Sequence, residues 1–277
     1  MRTKEEQEAI NKACKYHPET RDELIKLVHN LDVNLGDIDT SEITNMQYLF
    51  FCSEREDFSG IEKWDISKVT DMSGMFLQCT AFNQPIGDWD VSKVENMIDM
   101  FDGCKNFNQP LNNWDVSNVK IMNSMFWGCS AFNQPLNDWN VSNVEDMNLM
   151  FRGCKSFNQP LNDWNVGNVE DMSCMFSGCE NFNQPLNDWD VSKVENMHRM
   201  FRDCKQFNQD LNDWNVREDC DTYDMFKESI QSYDNVKQAF TKQQLNDSCS
   251  QKIIDALNNE KEQIEVQEQK VTKGRGR

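Results

Sequence analysis

The chain has 277 residues, and its 28 Lys and Arg against 47 Asp and Glu give a formal charge of −19. A surface this acidic repels nucleic acid and anionic membranes, so the expected partners are proteins with basic patches, or cations. No run of about 18 apolar residues occurs, so the sequence predicts no membrane insertion.

The N-terminus, MRTKEEQEAINKAC, is polar and lacks the apolar core of a signal peptide. We therefore expect an intracellular protein, and a cell-surface location only if a leader is missing from this chain. In a reducing compartment the 11 cysteines are expected to be free thiols.

Residues 1–34 differ in composition from the rest and are predicted to form a helical N-terminal cap. Thr20 and Glu23 have the spacing of a capping box, which predicts that a helix begins there. The apolar residues of TRDELIKLVHNL fall on one helical face. They are Leu24, Leu27, Val28 and Leu31.

Residues 35–228 repeat with a period of 25. The unit is W-[DN]-[VI]-S-x-V-x-x-M-x-x-M-F-x-x-C-x-x-F-N-Q-P-[LI]-x-[DN], and a degenerate unit around Ile38 precedes the first Trp. Since one unit cannot bury its own apolar residues, this period predicts a solenoid of about eight coils. The repeat tryptophans are Trp64, Trp89, Trp114, Trp139, Trp164, Trp189 and Trp214.

Two kinds of element are expected within each unit. The alternation in LNDWDV favours a short strand that pairs in parallel with the next coil. The spacing in SKVENMHRMF favours a short helical turn, and Ser92 and Glu95 have capping-box spacing at its start, as do Ser142 and Glu145.

Two columns of identical residues are predicted to be structural. An Asn recurs every 25 residues from Asn83 to Asn208, and its amide can bond to the coils on either side. A Cys recurs from Cys79 to Cys204 and matches no zinc-ligand spacing, so a buried ladder of thiols is expected.

Three columns vary from unit to unit, those at Trp+9, Trp+10 and Trp+13, where Trp+n is the nth residue after the repeat Trp. Packed columns cannot vary in this way, so these are expected to face outward, either as a protein-binding face or as surface that drifts freely. Small members include Ser124 and Ser177. The predicted protein-binding residues are Ile98, Asp99, Asp102, Trp127, Leu149, Arg152, His198, Arg199 and Arg202.

After Trp214 the repeat decays. Residues 229–260 are predicted to form a helical C-terminal cap, with helices expected at YDNVKQAF (233–240) and SQKIIDALNNEKEQIEV (250–266). Residues 261–277 are polar, end in KVTKGRGR, and are predicted to be a disordered tail.

No catalytic or cofactor motif stands out. The three histidines have no metal-ligand spacing, and no phosphate loop or nucleophile motif is present, so neither an enzyme nor a cofactor is expected. The Asp and Asn residues beside each Trp, such as Asp88 and Asp90, could attract Ca²⁺, although Asx turns explain them as well. No metal site is therefore predicted.

The repeat unit W-[DN]-V-S-x-V-x-x-M-x-x-M-F-x-x-C-x-x-F-N-Q-P-L closely resembles the BspA-like leucine-rich-repeat surface-protein family, over about Leu35 to Phe226. This resemblance implies adhesion or protein binding and supplies no catalytic residues. The predicted fold is an α/β repeat: a leucine-rich-repeat-like solenoid of about eight 25-residue coils with short parallel strands, short helical turns and helical caps at both ends.

These observations predict a non-enzymatic repeat scaffold that binds a protein partner through the variable columns. The alternative is a cation-stabilised structural or adhesive surface element. The oligomeric state is not predicted from the sequence.

Overall fold

The computed structural model describes residues 2–51, 53–231, 233–247 and 253–258. Helices lie only near the two ends of this described chain. The α-helices are α1 (Lys4–Ala13), α2 (Arg21–Val28), α3 (Lys242–Asp247) and residues 253–258, and short 3₁₀ turns lie at Leu35–Asp37, Ile61–Lys63 and Tyr233–Asn235. No helix of the described residues is long and apolar enough to cross a membrane.

The two N-terminal helices begin at threonine caps. Thr3 and Glu6 form a complete capping box at α1. At α2 the helix begins after Thr20, as predicted, and the Thr20 side chain accepts the Glu23 N–H, but the Glu23 carboxylate accepts the N–H of Glu19, so the predicted capping box is only half formed. The helix α2 ends at Val28, so Leu31 does not extend its buried face and is 55% exposed.

Arg55 links α2 to the repeats. This buried side chain donates to the backbone carbonyls of Val28, Asn30 and Val33. A cation at the C-terminal end of a helix satisfies carbonyls that have no partner within the helix and interacts favourably with the helix dipole. The contact therefore holds the N-terminal helices against the first units.

Backbone hydrogen bonds join each unit to the next. The N–H groups at Trp+8, Trp+10, Trp+12 and Trp+14 donate to carbonyls of the following unit; Met97 donates to Ile121 at 3.2 Å and Phe101 to Met125 at 2.9 Å. At Trp+7 the units form isolated parallel β-bridges. The bridged residues, in order, are Asn45, Asp71, Asn96, Ile121, Asp146, Asp171, Asn196 and Asp221.

The predicted positions of strand and helix within the unit are wrong. Residues 186–191, LNDWDV, form a turn, and the inter-unit bridge lies instead at Trp+7, inside the segment predicted to be helical. The capping box at Ser92 does not form because the Glu95 N–H donates to the Thr70 carbonyl of the preceding unit at 2.9 Å. Every second N–H group from Glu95 to Gly103 donates to an adjacent unit, so this segment cannot form a helix.

The core consists of columns of like residues. The seven repeat tryptophans are only 2–3% exposed. Each indole except that of Trp89 donates to a backbone carbonyl of the preceding unit, as Trp139 does to Leu111 at 3.0 Å. Phenylalanine rings stack beside them, with Phe126 and Phe151 centred 5.6 Å apart and nearly parallel. A unit therefore buries its apolar side chains against its neighbours.

Trp89 departs from this pattern. Its buried Nε1 has no hydrogen-bond partner among the described residues. The preceding unit is irregular at this point, because the 3₁₀ turn Ile61–Lys63 takes the place of the usual segment before Trp64. Within the described chain, the carbonyl of Ile61 accepts only the backbone N–H of Trp64, whereas the equivalent Leu111 carbonyl accepts both the Trp114 N–H and the Trp139 indole.

Both predicted ladders are present, with bonds that the sequence does not specify. The Asn133 side-chain oxygen accepts hydrogen bonds from the backbone N–H of Asn158, at 2.9 Å, and from the side-chain amide of Gln159. In the described units, the Asn side chains of this ladder therefore do not bond to each other. The Cys154 thiol donates to the Phe126 carbonyl at 2.9 Å. Each ladder thus bonds to backbone groups of the adjacent unit.

At the C-terminal end, residues 233–240 form a 3₁₀ turn and further turns instead of the predicted helix. Phe240 nevertheless packs edge-on against Phe226, with ring centroids 5.9 Å apart, and covers the last unit. The helix α3 was not predicted. Of the helix predicted at 250–266, residues 253–258 are helical. Residues 250–252 and 259–266 lie outside the described residues, as does the whole of the predicted tail, 261–277.

We expect Trp139→Ala to lower the free energy of unfolding by about 3–5 kcal/mol, because it leaves a cavity in the core and removes the hydrogen bond from the indole to the Leu111 carbonyl. The matched control is Trp127→Ala, which removes a partly exposed ring and should change stability by about 0.5 kcal/mol or less. Urea denaturation measures both. Equal losses for the two variants would contradict the buried tryptophan column.

We expect the ladder cysteines to resist alkylation in the native protein, because burial raises the pKa of each thiol, that of Cys79 to about 12. Cys14 and Cys174 are half-buried and should react first. Peptide mass spectrometry after brief iodoacetamide treatment, with and without denaturant, measures this order. Native labelling of Cys154 as fast as that of Cys14 would show that the ladder is open.

Candidate protein-binding face

We define the variable face as the residues at Trp+9, Trp+10 and Trp+13 of the units, counting from Ile38 in the first. All nine predicted protein-binding residues reach the surface. Trp127 and Arg152 are exposed, whereas Ile98, Asp99, Asp102, Leu149, His198, Arg199 and Arg202 are half-buried. The prediction that whole columns face outward is too broad, because Ser124 and Ser177 are buried between larger neighbours.

The local backbone separates this face from the core. An Asx turn precedes it, in which the Asp146 side chain accepts the N–H of Asn148 at 2.9 Å. Leu149 at Trp+10 then has a φ of 59° and Gly153 at Trp+14 a φ of 74°. With these two left-handed residues, the side chains at Trp+8, Trp+11 and Trp+12 are buried, while Leu149 and Arg152 remain accessible.

Left-handed backbone is unfavourable for residues other than glycine, by roughly 1–2 kcal/mol each. Gly153 at Trp+14 avoids this cost, whereas Trp+10 is left-handed in every unit and carries side chains such as Leu149 and Arg199. The inter-unit hydrogen bond of the Trp+10 N–H, 2.9 Å from Leu149 to Ser173, holds this conformation. The backbone therefore presents different side chains in one geometry.

The N-terminal part of the variable face is acidic. Asp99 and Asp102 lie in the same unit, and Gln78 donates to Asp102 at 3.3 Å. Burial, and then the nearby charge of Asp99, raises the pKa of Asp102 to about 6. Burial also raises the pKa of Asp99, although a hydrogen bond with Ser124 opposes that shift.

An aromatic and an arginine form the middle of the face. The Arg152 guanidinium lies over the Trp127 ring, 5.2 Å from its centroid, in a cation–π contact between adjacent units. Trp127 is 37% exposed, unlike the repeat tryptophans. This pair combines the two residue types that contribute most often to protein-binding hot spots.

The C-terminal part of the face is basic and surrounds one buried carboxylate. The Asp224 Oδ2 lies 3.4 Å from Arg199, 3.3 Å from Arg202 and 3.5 Å from Lys227. A carboxylate that is almost fully buried needs such partners to remain charged. His198 stacks on Tyr223 in the next unit, with ring centroids 5.6 Å apart.

Sequence reasoning missed several members of this face. Tyr223 is 50% exposed at Trp+9 of the last unit, and Tyr48 and Phe51 are exposed in the first. Asp224 and Lys227 were missed as well. The signal was present in the period of 25, but the terminal units are degenerate, and only the structure shows that they keep the backbone of the regular ones.

The acidic columns beside the tryptophans serve the backbone. The Asp90 side chain accepts the N–H and the hydroxyl of Ser92, and Asp65 accepts the same groups of Ser67. Within the described ranges, no group of His, Cys, Asp or Glu is arranged to hold a metal ion. The Asx turn is therefore the role that the described contacts assign to the residue that follows a repeat Trp, such as Asp65 or Asp90.

A half-open cavity of about 650 Å³ lies away from the variable face, between α1 and the units of Trp64 and Trp89. Its polar groups bond to one another, since Asn11 donates to Asp65 at 3.0 Å and Gln7 to the Lys63 carbonyl at 2.8 Å. Neither His nor Cys occurs among its described lining residues.

We expect Asp102→Asn to stabilise the protein at neutral pH by about 1 kcal/mol, after allowance for partial exposure. Because the folded-state pKa is raised, the charged form costs stability in full above about pH 6, and the cost disappears as the pH falls toward 3.8. Urea denaturation across this range measures it.

Asp190→Asn is the control of opposite sign, because hydrogen bonds from Ser192 lower the pKa of Asp190, so its charged form stabilises the protein above its usual pKa. It should therefore not gain stability at neutral pH. A gain from Asp102→Asn that is the same at every pH would rule out the charge as its cause.

Comparison with known proteins identifies the repeats. The family described as "Mycoplasma protein of unknown function, DUF285" matches residues 51–154 and 135–240. These overlapping matches extend over more than half of the chain, in the region of stacked units. No curated protein and no solved structure is significantly similar to the chain. The chain therefore belongs to the DUF285 family of repeat proteins.

Proposed function

We propose that this protein is a non-enzymatic repeat scaffold that binds a protein partner through the variable face. We further propose that its stacked units form a leucine-rich-repeat-like solenoid of about eight coils, as in the BspA-like surface proteins that the repeat resembles. Inter-unit hydrogen bonds that recur every 25 residues along the chain support this architecture.

One observation carries the binding proposal. Seven large hydrophobic residues are exposed in the described chain, and four of them lie on the variable face: Tyr48, Phe51, Trp127 and Tyr223. Free drift of surface positions does not favour exposed aromatics, because each exposes apolar area to water at a cost. Aromatic residues and arginine are enriched where proteins bind one another.

The remaining surface argues against other classes of partner. A formal charge of −19 disfavours nucleic acid and anionic membranes. All nine described cysteines are free thiols, which supports a reducing, intracellular compartment. The repeated groups of the framework bond within the stack, so the proposed scaffold uses them for stability and not for chemistry.

A triple variant tests the binding face. Replacing Trp127, Leu149 and Arg152 by Ala should abolish binding of the native partner. The matched control changes three exposed residues outside the face: Lys93→Ala, Glu170→Ala and Asp213→Ala. Affinity capture from the native cell with quantitative mass spectrometry should find a protein that the triple variant retains about tenfold less than the control does.

The folded state of both variants is checked by urea denaturation, so that loss of binding is separated from unfolding. Equal capture of every protein by the wild type, the triple variant and the control would show that this part of the variable face does not bind. The array would then be expected to act as a spacer between its two ends.

A further inference from the structure

From Arg152 onward, the charge of the variable face is opposite in sign to the charge of the whole protein. Between residues 56 and 216 the chain contains three arginines, and all three lie in variable columns: Arg152, Arg199 and Arg202. Lys227 occupies Trp+13 of the last unit. We call these four residues the basic strip. The eight lysines between residues 56 and 216 all lie outside the variable columns, so general solubility does not explain why the arginines of this span are confined to them.

The carboxylates of the strip do not neutralise it. Asp224 is shared by Arg199, Arg202 and Lys227, and Asp203 lies 3.3 Å from Arg202. No carboxylate of the described residues forms an ion pair with Arg152. Four cations therefore face two carboxylates, and one of these carboxylates is buried beneath them.

Arg152 is positioned before any partner arrives. Its guanidinium rests on the Trp127 ring and donates no hydrogen bond to a described residue. A planar guanidinium can bind a carboxylate through two parallel N–H groups. Because the stacking on Trp127 restricts its rotamers, less conformational entropy is lost when a carboxylate binds.

We propose that the basic strip binds an acidic, extended segment of a protein partner, with one carboxylate on Arg152 and a second on Arg199 and Arg202. This inference deepens the proposed function and rests on it. The overall charge of the protein predicts a partner with basic patches. The basic strip, however, has the opposite charge and would attract an acidic segment.

The spacing of the strip limits the form of this segment. Arg152 follows Phe151 and Arg202 follows Phe201, and successive rings of that column are 5.7 Å and 5.6 Å apart, so the two arginines are offset by about 11 Å along the stack. A polyproline II chain rises about 3.1 Å per residue with three residues per turn. Acidic residues at every third position would therefore lie on one side, about 9 Å apart.

A peptide fits this strip better than a longer polyanion does. Asp99 and Asp102 lie on the same face, N-terminal to the strip, and would repel a nucleic acid or an anionic membrane that extended past Trp127. Trp127 and Tyr223 provide exposed apolar surface near the two ends of the strip. A short acidic segment with apolar residues matches both features.

The test uses the full chain and a fluorescent peptide with glutamate at every third position and proline between. Its counterpart carries glutamine in place of glutamate. Fluorescence anisotropy should show that the glutamate peptide binds at least about tenfold more tightly than the glutamine peptide, and that added salt weakens it. Equal binding of the two peptides, or no binding of the glutamate peptide, would overturn the proposal.

Charge reversal localises the site. Arg152→Glu should weaken binding of the glutamate peptide about tenfold or more, and Arg152→Lys, which keeps the charge but loses the planar fork, should weaken it less. Lys93→Glu makes the same charge change at an exposed site outside the face and should have little effect. If Arg152→Glu and Lys93→Glu weaken binding equally, only the net charge matters and the proposal fails.

Binding experiments with other ligands distinguish the acidic segment from other occupants of the basic strip. If an RNA oligonucleotide or a phosphatidylserine vesicle binds in an Arg152-dependent manner and the glutamate peptide does not, the proposed partner class is wrong. A dimer in sedimentation that Arg152→Glu dissociates, and that the peptide does not disrupt, would identify a second copy as the occupant and also overturn it.

The proposed function can survive the failure of this inference. If a cellular protein depends on Trp127, Leu149 and Arg152 but the glutamate peptide neither binds nor competes with it, the variable face binds protein and the acidic-segment proposal is wrong. If neither assay depends on these residues, both proposals are wrong.

Discussion

The structure depends on the backbone hydrogen bonds between successive units. Because these bonds recur every 25 residues, each side chain lies beside its counterpart, with the ring of Trp114 6.4 Å from that of Trp139 and the ring of Phe126 5.6 Å from that of Phe151. The indole, thiol and amide ladders all donate to or accept from the same adjacent backbone. A unit by itself would leave these groups and its apolar side chains without partners, and so the units are stable only together.

The same hydrogen bonds divide the unit into a constant and a variable part. They hold Trp+10 in a left-handed conformation whether the residue is Leu149 or Arg199. The residues on either side, at Trp+8, Trp+11 and Trp+12, are buried and are Met, Met and Phe in the six units from Trp64 to Trp189. Side chains on the variable face can therefore change without altering the path of the backbone, which is the property that a binding surface on a repeat protein requires.

Overall charge is a poor guide to the chemistry of that face. The acidic residues are distributed over the Asx turns and the outer surface, whereas Arg152, Arg199 and Arg202 are concentrated in the variable columns. Asp224 illustrates the difference: a buried carboxylate contacts three cations, and those cations also reach the surface. The local excess of charge, and not the sum over the chain, is what a docking partner meets.

The sequence by itself determined the period, the buried columns and the positions of the variable ones, because a residue that packs against its own copy cannot vary freely. It also predicted the cap of α2 at Thr20, which depends only on local contacts. Only the tertiary structure decided the backbone path. Local spacing favoured a helical turn after Ser92, but the Glu95 N–H bonds to Thr70 in the preceding unit, an interaction that no local pattern contains. For the same reason the burial of Ser124 and the cluster around Asp224 became evident only once neighbouring units were in contact.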